Sequence, residues 1–531
     1  MFIFKYLKEN ILLSFFLFLY SNDKKLTKKF YFFKNTSIIN ICHLKSNIKT
    51  QKYTFVRKRG FMFLLDNIIN IADFLWSNII GYVLLGVGLF YTIRLGFPQI
   101  RYAKDIKDVL KKNLKSDDNV SGFGALAAAV GGQVGTGSLV GVASAIVAGG
   151  PGAIFWMWVT SILGMVITFA ETVLGQVYRV KLSDGTYRGG PAYYIRNGLG
   201  KKVLGVITAF LYIIGVGLCI AFMQTNSIAK GFQGVIEFNP IIVGVIVTIL
   251  AGIITIGGVK RLTKVTGYLV PIMALFYVFV VFVIIITNIT KLPSVIALIF
   301  KSAFSAQAAV GGIIGHSIMD AFRNGVARGL FSNDAGNGIA GIMHSSADVD
   351  HPAEQGFLGM FGTFVTTCII CSLTAFAILL TGVLGNGSDG INLVQDAFSA
   401  QIGYVGRWVV ALSMAFFGFT TLIADLFYGE ANIIHIFKDK FKIPLWIYRI
   451  FAAVMFIVST KMSLDVVWGL IDVFVGILVF INVITLMFLF KSVKVVLDDY
   501  ENQKQKGKKP VWDKTNNSLY TDQGEYNNFD I

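Results

Sequence analysis

The stretch GGQVGTGSLVG, Gly131 to Gly141, interleaves glycines with Gln133, Thr136 and Ser138 inside an otherwise apolar run. Glycine is among the poorest helix formers, yet lipid demands that every backbone amide and carbonyl be bonded within the protein. A helix that breaks at mid-membrane exposes N–H groups at the start of its second half and C=O groups at the end of its first. The N–H end carries partial positive charge and suits a carboxylate. The free carbonyls suit an alkali cation or an ammonium. Glycine permits both the turn and the close approach of a ligand. The chemistry on offer is therefore the binding of a zwitterion and an ion, with no bond made or broken. Glycines that merely let helices pack closely are the competing reading; it suits isolated glycines better than this cluster.

A second cluster, Gly311, Gly312 and Gly315, sits in another apolar run. Glycine-interrupted spans at matching places in two halves are the sequence sign of a secondary transporter's binding site. Among the acids inside apolar runs, Glu171 in FAETVLGQ and Asp425 in TTLIADLFYGE stand out. An ionisable residue within a membrane is expensive and therefore functional by default. Glu171 has a second reading, as a structural partner of broken-helix backbone groups.

These residues need a membrane scaffold. The chain has 531 residues, 55% hydrophobic and 15% charged, with mean hydropathy +0.66. By the usual criterion of ~20 apolar residues per crossing, about eleven spans are expected. They cover roughly 76–96, 122–147, 153–177, 203–229, 241–256, 265–286, 295–322, 357–384, 408–428, 445–458 and 466–490. The fold class is thus all-α and polytopic. Setting the first span aside leaves two sets of five, 122–287 and 288–490. Five is odd, so the two sets have opposite orientation.

The net charge of +17 is spread over short segments between spans, as the positive-inside rule describes, and not over a nucleic-acid-binding face. Basic loops follow spans one (Arg101 to Lys115), three, five, seven (Arg323, Arg328) and nine, and the tail from Lys491 is basic too. These are read as cytoplasmic, and residues 491–531 as a cytoplasmic tail. Residues 62–121 hold the extra first span and its basic loop. Residues 1–61 differ from the rest and carry lysines that would have to cross the membrane. Met62 is therefore read as the natural start, with Lys58-Arg59-Gly60 encodable by a purine-rich ribosome-binding stretch. A real, disordered or cleaved leader is the alternative.

The scattered His316, His344, His351 and His435 form no catalytic motif; His344 and His351 are read as solvated loop residues. Cys368 and Cys371 form a C-x-x-C without a second ligand pair. A dinucleotide fingerprint fails for want of a βαβ setting. No enzyme is expected.

The block Gly131 to Gly164 (GGQVGTGSLVGVASAIVAGGPGAIFWMWVTSILG), with GGPAYYI (Gly189 to Ile195), NGVARGLFSNDAGNG (Asn324 to Gly338) and FYGE (Phe427 to Glu430), resembles the alanine/glycine:cation symporter family. The resemblance implies a LeuT-like fold of the amino acid–polyamine–cation superfamily, a 5+5 inverted repeat with one extra N-terminal helix. It implies Na⁺-coupled uptake of alanine or glycine by alternating access across a bacterial cytoplasmic membrane. A proton-coupled carrier, or a carrier of another small solute on the same fold, is the alternative.

The resemblance also implies site residues. Carbonyls of Gly131 and Val134 would face one Na⁺, completed by Thr420 and Thr421. Intrahelical hydroxyl bonding is the other reading of that pair. The N–H groups of Thr136 and Gly137 would hold the solute carboxylate, with Gln133 and Ser138 lining the pocket and Gly311 and Gly312 facing it. Gln224 and Asn226 resemble a polar pair that either touches solute or bonds neighbouring helices. Ser138 departs from the family's Asn and Asp425 from its Trp. Asp425 either sees water near the cytoplasmic end or changes solute choice or proton sensitivity. No cofactor beyond co-transported Na⁺, no nucleic acid and no obligate protein partner is expected; the bilayer is the one obligatory environment.

Overall fold

An apolar run in lipid has no water to bond its amides and satisfies them internally, as a helix. The computed structural model describes residues 75–112, 120–305, 317–462 and 464–513, which belong to one unit, Ile68–Ile531. Gly81–Arg94 (α1) is followed by the amphipathic Ala103–Lys112 (α2). Gly122–Gln133 (α3) and Gly137–Gly149 (α4) form one interrupted span bent by 51°. Ala153–Val177 (α5) leads to a two-stranded hairpin, Val180–Lys181 (β1) and Tyr187–Arg188 (β2), and to Pro191–Asn197 (α6). Lys202–Gln233 (α7), Ile241–Thr255 (α8) and Gly258–Thr287 (α9) complete the first half. The second half contains Leu292–Phe304 (α10), Ile318–Asn333 (α11), Ile339–His344 (α12), Pro352–Thr381 (α13), Gly390–Ile402 (α14), Tyr404–Phe437 (α15), Lys442–Ser459 (α16) and Leu464–Phe488 (α17). Phe490–Gln505 (α18) follows.

Among the described residues seven helices are long and apolar enough to cross a bilayer, or eight with the bent pair counted as one span. The protein is a helical polytopic membrane protein. Outward-facing Leu275, Phe279 and Ile447 are more than 60% exposed, as lipid contact requires. The count of eleven rests on adding the shorter α1 and α8 and the seventh expected span. That span is not one helix: α10 and α11 cover its two ends, and Gly311, Gly312 and Gly315 lie outside the described residues, as do residues 1–61.

A second interruption among the described residues lies at Asp334–Gly338, between α11 and α12. Asp334 (φ 58°), Gly336 (φ 92°) and Gly338 (φ 82°) all take positive φ there, conformations that glycine adopts freely and Asp tolerates. α11 packs along α4 and α5, whereas α12 packs along α3 and α5. The first half of one pair therefore lies beside the second half of the other, and the two pairs run in opposite directions. Glycines allow this closeness. A Cβ at Gly325 would meet the Ala153 carbonyl oxygen at 2.3 Å, and one at Gly175 would meet that of Gly341 at 2.3 Å.

This placement corrects two expectations. Arg323 and Arg328 belong to α11 and not to a loop. Asn324, one residue after Arg323, donates to the Ala148 carbonyl at 3.3 Å, beside the uncharged AGGPGA loop between the second and third expected spans, which by the positive-inside rule faces the side opposite the basic loops. His344 and His351 are buried, not solvated. His344 bonds Gln355 at 2.7 Å through Nδ1, and His351 caps α13 by accepting from the Ala353 N–H at 3.1 Å.

At the opposite end α18 folds back. Glu501 pairs with Arg101 at 2.7 Å, Lys504 pairs with Asp105, and Asp499 lies 3.2 Å from His351. Beyond the helix, Lys509 pairs with Asp350 at 2.8 Å and the Trp512 N–H donates to the Asp350 carbonyl at 2.9 Å. The Lys509 ammonium, helped by Lys112, holds the Asp350 carboxyl below its usual range. The same 345–351 segment grips the start of α3. Asp348 N–H donates to the Val120 carbonyl at 2.9 Å, and Gln355 donates to that of Gly122 at 3.2 Å.

Candidate functional site

The two interruptions face each other across a small cavity of about 20 Å³, room for about one water. Gly132, Gln133, Gly135 and Gly137 line it from the first pair, and Phe331, Asp334 and Ile339 from the second. Ile220 and Gln224 of α7 and Thr421 and Asp425 of α15 close it.

The first break begins where Val134 leaves the helix (φ −82°, ψ 71°), and Gly135 N–H turns back to the Gln133 carbonyl at 3.0 Å. Gln224 Oε1 accepts from the Thr136 N–H at 3.1 Å and from its hydroxyl at 2.6 Å. Of the two amides expected to hold a carboxylate, Thr136 is thus already engaged in this conformation, and Gly137 lines the cavity. Thr421 donates to the Gly131 carbonyl at 2.9 Å and to that of Phe417 at 3.0 Å. Thr420 donates to Phe417 as well and sits against Gly131, where an added Cβ would meet the Thr420 Cβ at 3.2 Å. The Thr421 hydroxyl therefore reaches the end of α3, whereas that of Thr420 bonds within α15 and donates to Met273 Sδ at 3.7 Å. Gly135 has to be glycine: a Cβ there would fall 2.5 Å from Thr421 Oγ1 and 3.1 Å from Gln224 Oε1.

Gln133 bridges the halves. It donates to the Asn333 carbonyl at 3.1 Å and accepts from Thr366 at 3.1 Å. Ser138 is buried but does not line the cavity; its carbonyl accepts from Thr374 at 2.9 Å. Gln224 and Asn226 part company. Gln224 lines the cavity, while Asn226 donates to the carbonyls of Ser459 at 2.6 Å and Met462 at 2.9 Å, bonding helix to helix. Asp425 does not see water at a helix end. It is 2% exposed and lines the cavity.

Glu171 holds the second break together. Its Oε1 accepts from the Gly336 and Gly338 amides, each at 2.9 Å, and from Asn482 at 2.7 Å. Asn482 also donates to the Gly336 carbonyl at 2.9 Å, and the Tyr212 hydroxyl donates to that of Asn337. Of its two readings, Glu171 is thus a structural partner of the freed backbone. Sequence reasoning missed Asp334 and Phe331 as lining residues. The signal was present in SNDAGNG, where Asp, Asn and Gly cluster as they do at helix stops.

A model of the sodium:alanine symporter family matches residues 62–514. The chain belongs to that family. An amino-acid carrier protein, AlsT, of Bacillus subtilis is 40% identical over 84% of this chain and 94% of its own. A probable sodium/glutamine symporter, GlnT, of the same organism is 39% identical over 85% and 93%. A sodium/alanine symporter, AgcS, of Methanococcus maripaludis is 35% identical over 80% and 94%. Among solved structures, a manganese transporter of Eremococcus coleocola is similar at 14% identity and TM-score 0.44, over 74% of this chain and 81% of that one. As a member of the sodium:alanine symporter family the chain is a multi-pass membrane transporter and not an enzyme.

Proposed function

We propose that the protein carries small neutral amino acids of the alanine and glycine type into the cell with Na⁺, across a bacterial cytoplasmic membrane, by alternating access. One observation supports this most directly. Two interrupted helix pairs of opposite direction line one small cavity, with Thr421 on the Gly131 carbonyl near the end of α3 and amide donors at the start of α4. A zwitterion fits such a pair of ends, its carboxylate toward the Gly137 N–H and its ammonium toward the Asp334 carboxylate. Carbonyl and hydroxyl oxygens at Gly131, Val134, Thr420 and Thr421 are hard donors, the kind an alkali cation takes.

Coupling requires that Na⁺ binding favour one conformation over the other. Na⁺ between α3 and α15 does this, because those helices belong to the two bodies that move against each other. The membrane potential adds about 2.3 kcal/mol per charge per 100 mV. Uptake of labelled alanine into proteoliposomes under imposed Na⁺ or H⁺ gradients tests the reading. Na⁺-driven accumulation is expected. Thr421→Val raises the Na⁺ concentration for half-maximal uptake about tenfold, the scale of one lost hydrogen bond. Accumulation driven by H⁺ alone, or an unchanged Na⁺ dependence in Thr421→Val, defeats it.

A further inference from the structure

Asp425 has no task in this scheme. The first interruption and Asp334 already answer both charged ends of an amino acid. Yet Asp425 lies one turn beyond Thr421 on the same face of α15, is 2% exposed, and lines the cavity. Its Oδ2 is buried with no hydrogen-bond partner. Its counterpart across the cavity, Asp334, accepts from Asn337 at 2.9 Å. No Lys, Arg or His contributes to the described cavity wall. The rest of that wall near the second pair is apolar, from Phe331 and Ile339.

A buried acceptor set against a methyl group or a hydrogen forfeits the bond it made with water. A site built to hydrogen-bond a solute group also rejects the analogue lacking it far more strongly than an apolar pocket separates sizes. Resting on the reading above, we propose that Asp425 selects for amino acids whose side chain carries a hydrogen-bond donor, which alanine and glycine lack. Hydroxyl and carboxamide side chains of neutral amino acids share this chemistry, and serine and glutamine represent them.

The test uses the full chain in proteoliposomes. Unlabelled serine, glutamine, alanine and glycine compete against labelled alanine, and the concentration for half-inhibition is measured for each. In the natural protein at least one donor-bearing solute competes about tenfold better than alanine, and which one identifies the donor. In Asp425→Leu the ratio of that solute to alanine falls about tenfold. Alanine or glycine as the strongest competitor in the natural protein overturns the inference and leaves the proposed function standing. So does an unchanged ratio in Asp425→Leu, including the case where all solutes weaken equally because Asp425 serves the cation. Where Asp425→Leu does not fold, Asp425→Asn keeps the shape and one acceptor oxygen; its ratio falls by less, and an unchanged ratio overturns the inference again. Uptake of no amino acid at all overturns the proposed function, and this inference with it.

Discussion

At Val134–Thr136 the chain leaves its helix for three residues, and the freed Thr136 amide goes to Gln224, a neutral side chain that itself lines the cavity. At Asp334–Gly338 the gap is longer, and its amides go to Glu171, a fully buried acid behind the cavity. In the proposed function the first break is held by groups that a solute can displace. The second is fastened by a carboxylate, reinforced by Asn482 and Tyr212, that no solute reaches. One side of the site is built to exchange partners and the other to stay fixed. That division suits a carrier, whose pocket has to recognise its cargo on a firm wall and release it from a yielding one.

The contrast can be broken at its stiff side first. Glu171→Ala orphans two buried backbone amides and one N–H of Asn482, at ~1–3 kcal/mol for each unsatisfied group. Uptake is expected to fall more than a hundredfold with a clear drop in Tm of the purified protein. Uptake within twofold of the natural protein shows that the second break does not need its acid. Gly135→Ala comes next. Its Cβ must displace Thr421 or Gln224, an overpacking cost of about 1–3 kcal/mol, so uptake falls about tenfold with Tm nearly unchanged. Gln224→Leu removes the exchangeable acceptor and spares the fixed wall. A rise in KM of severalfold, without loss of Tm, is expected from one neutral hydrogen bond; a Tm loss as large as that of Glu171→Ala erases the contrast.

The smallest effect lies far from both breaks. Burial pushes the His351 imidazole down to about 4, although Asp499 beside it favours the charged form. The unfolded chain, with an ordinary histidine near 6.5, then binds more protons than the folded one between these values. Stability contributed by His351 is full above about pH 6.5 and is lost as pH falls toward 4. Tm measured over that range should decline, and less steeply in His351→Asn. Equal slopes would show that this end of the bundle is indifferent to the imidazole.

Much of the first break was legible beforehand. GGQVGTG contradicts a lipid-facing helix on its own terms, and no tertiary information is needed to see it. Gly311, Gly312 and Gly315 lie outside the described residues; the break at Asp334–Gly338 went unread because SNDAGNG carries polar residues that read as a loop. Its polarity is tolerable only because Glu171 and Asn482, 165 and 146 residues from Gly336 in sequence, supply its bonds. Thr421 and Asp425 share a helix face by spacing alone, so their common cavity was within reach of the sequence. That Asn226 turns away from Gln224 to α16 was not, since only packing chooses between two neighbouring side chains of one helix. The histidines show the same limit. His351 between spans looks solvated until the tail, 148 residues later, covers it.

That tail has a consequence of its own. The Trp512 amide is fastened to Asp350, and the segment ending at Asp350 is fastened in turn to Val120 at the root of α3. Swinging α3 outward at this end strains one short relay of main-chain bonds that stretches from residue 120 to residue 512. Detachment of the tail and release of α3 then form one cooperative unit, and amide protons near both places should trade with deuterated solvent at a common rate.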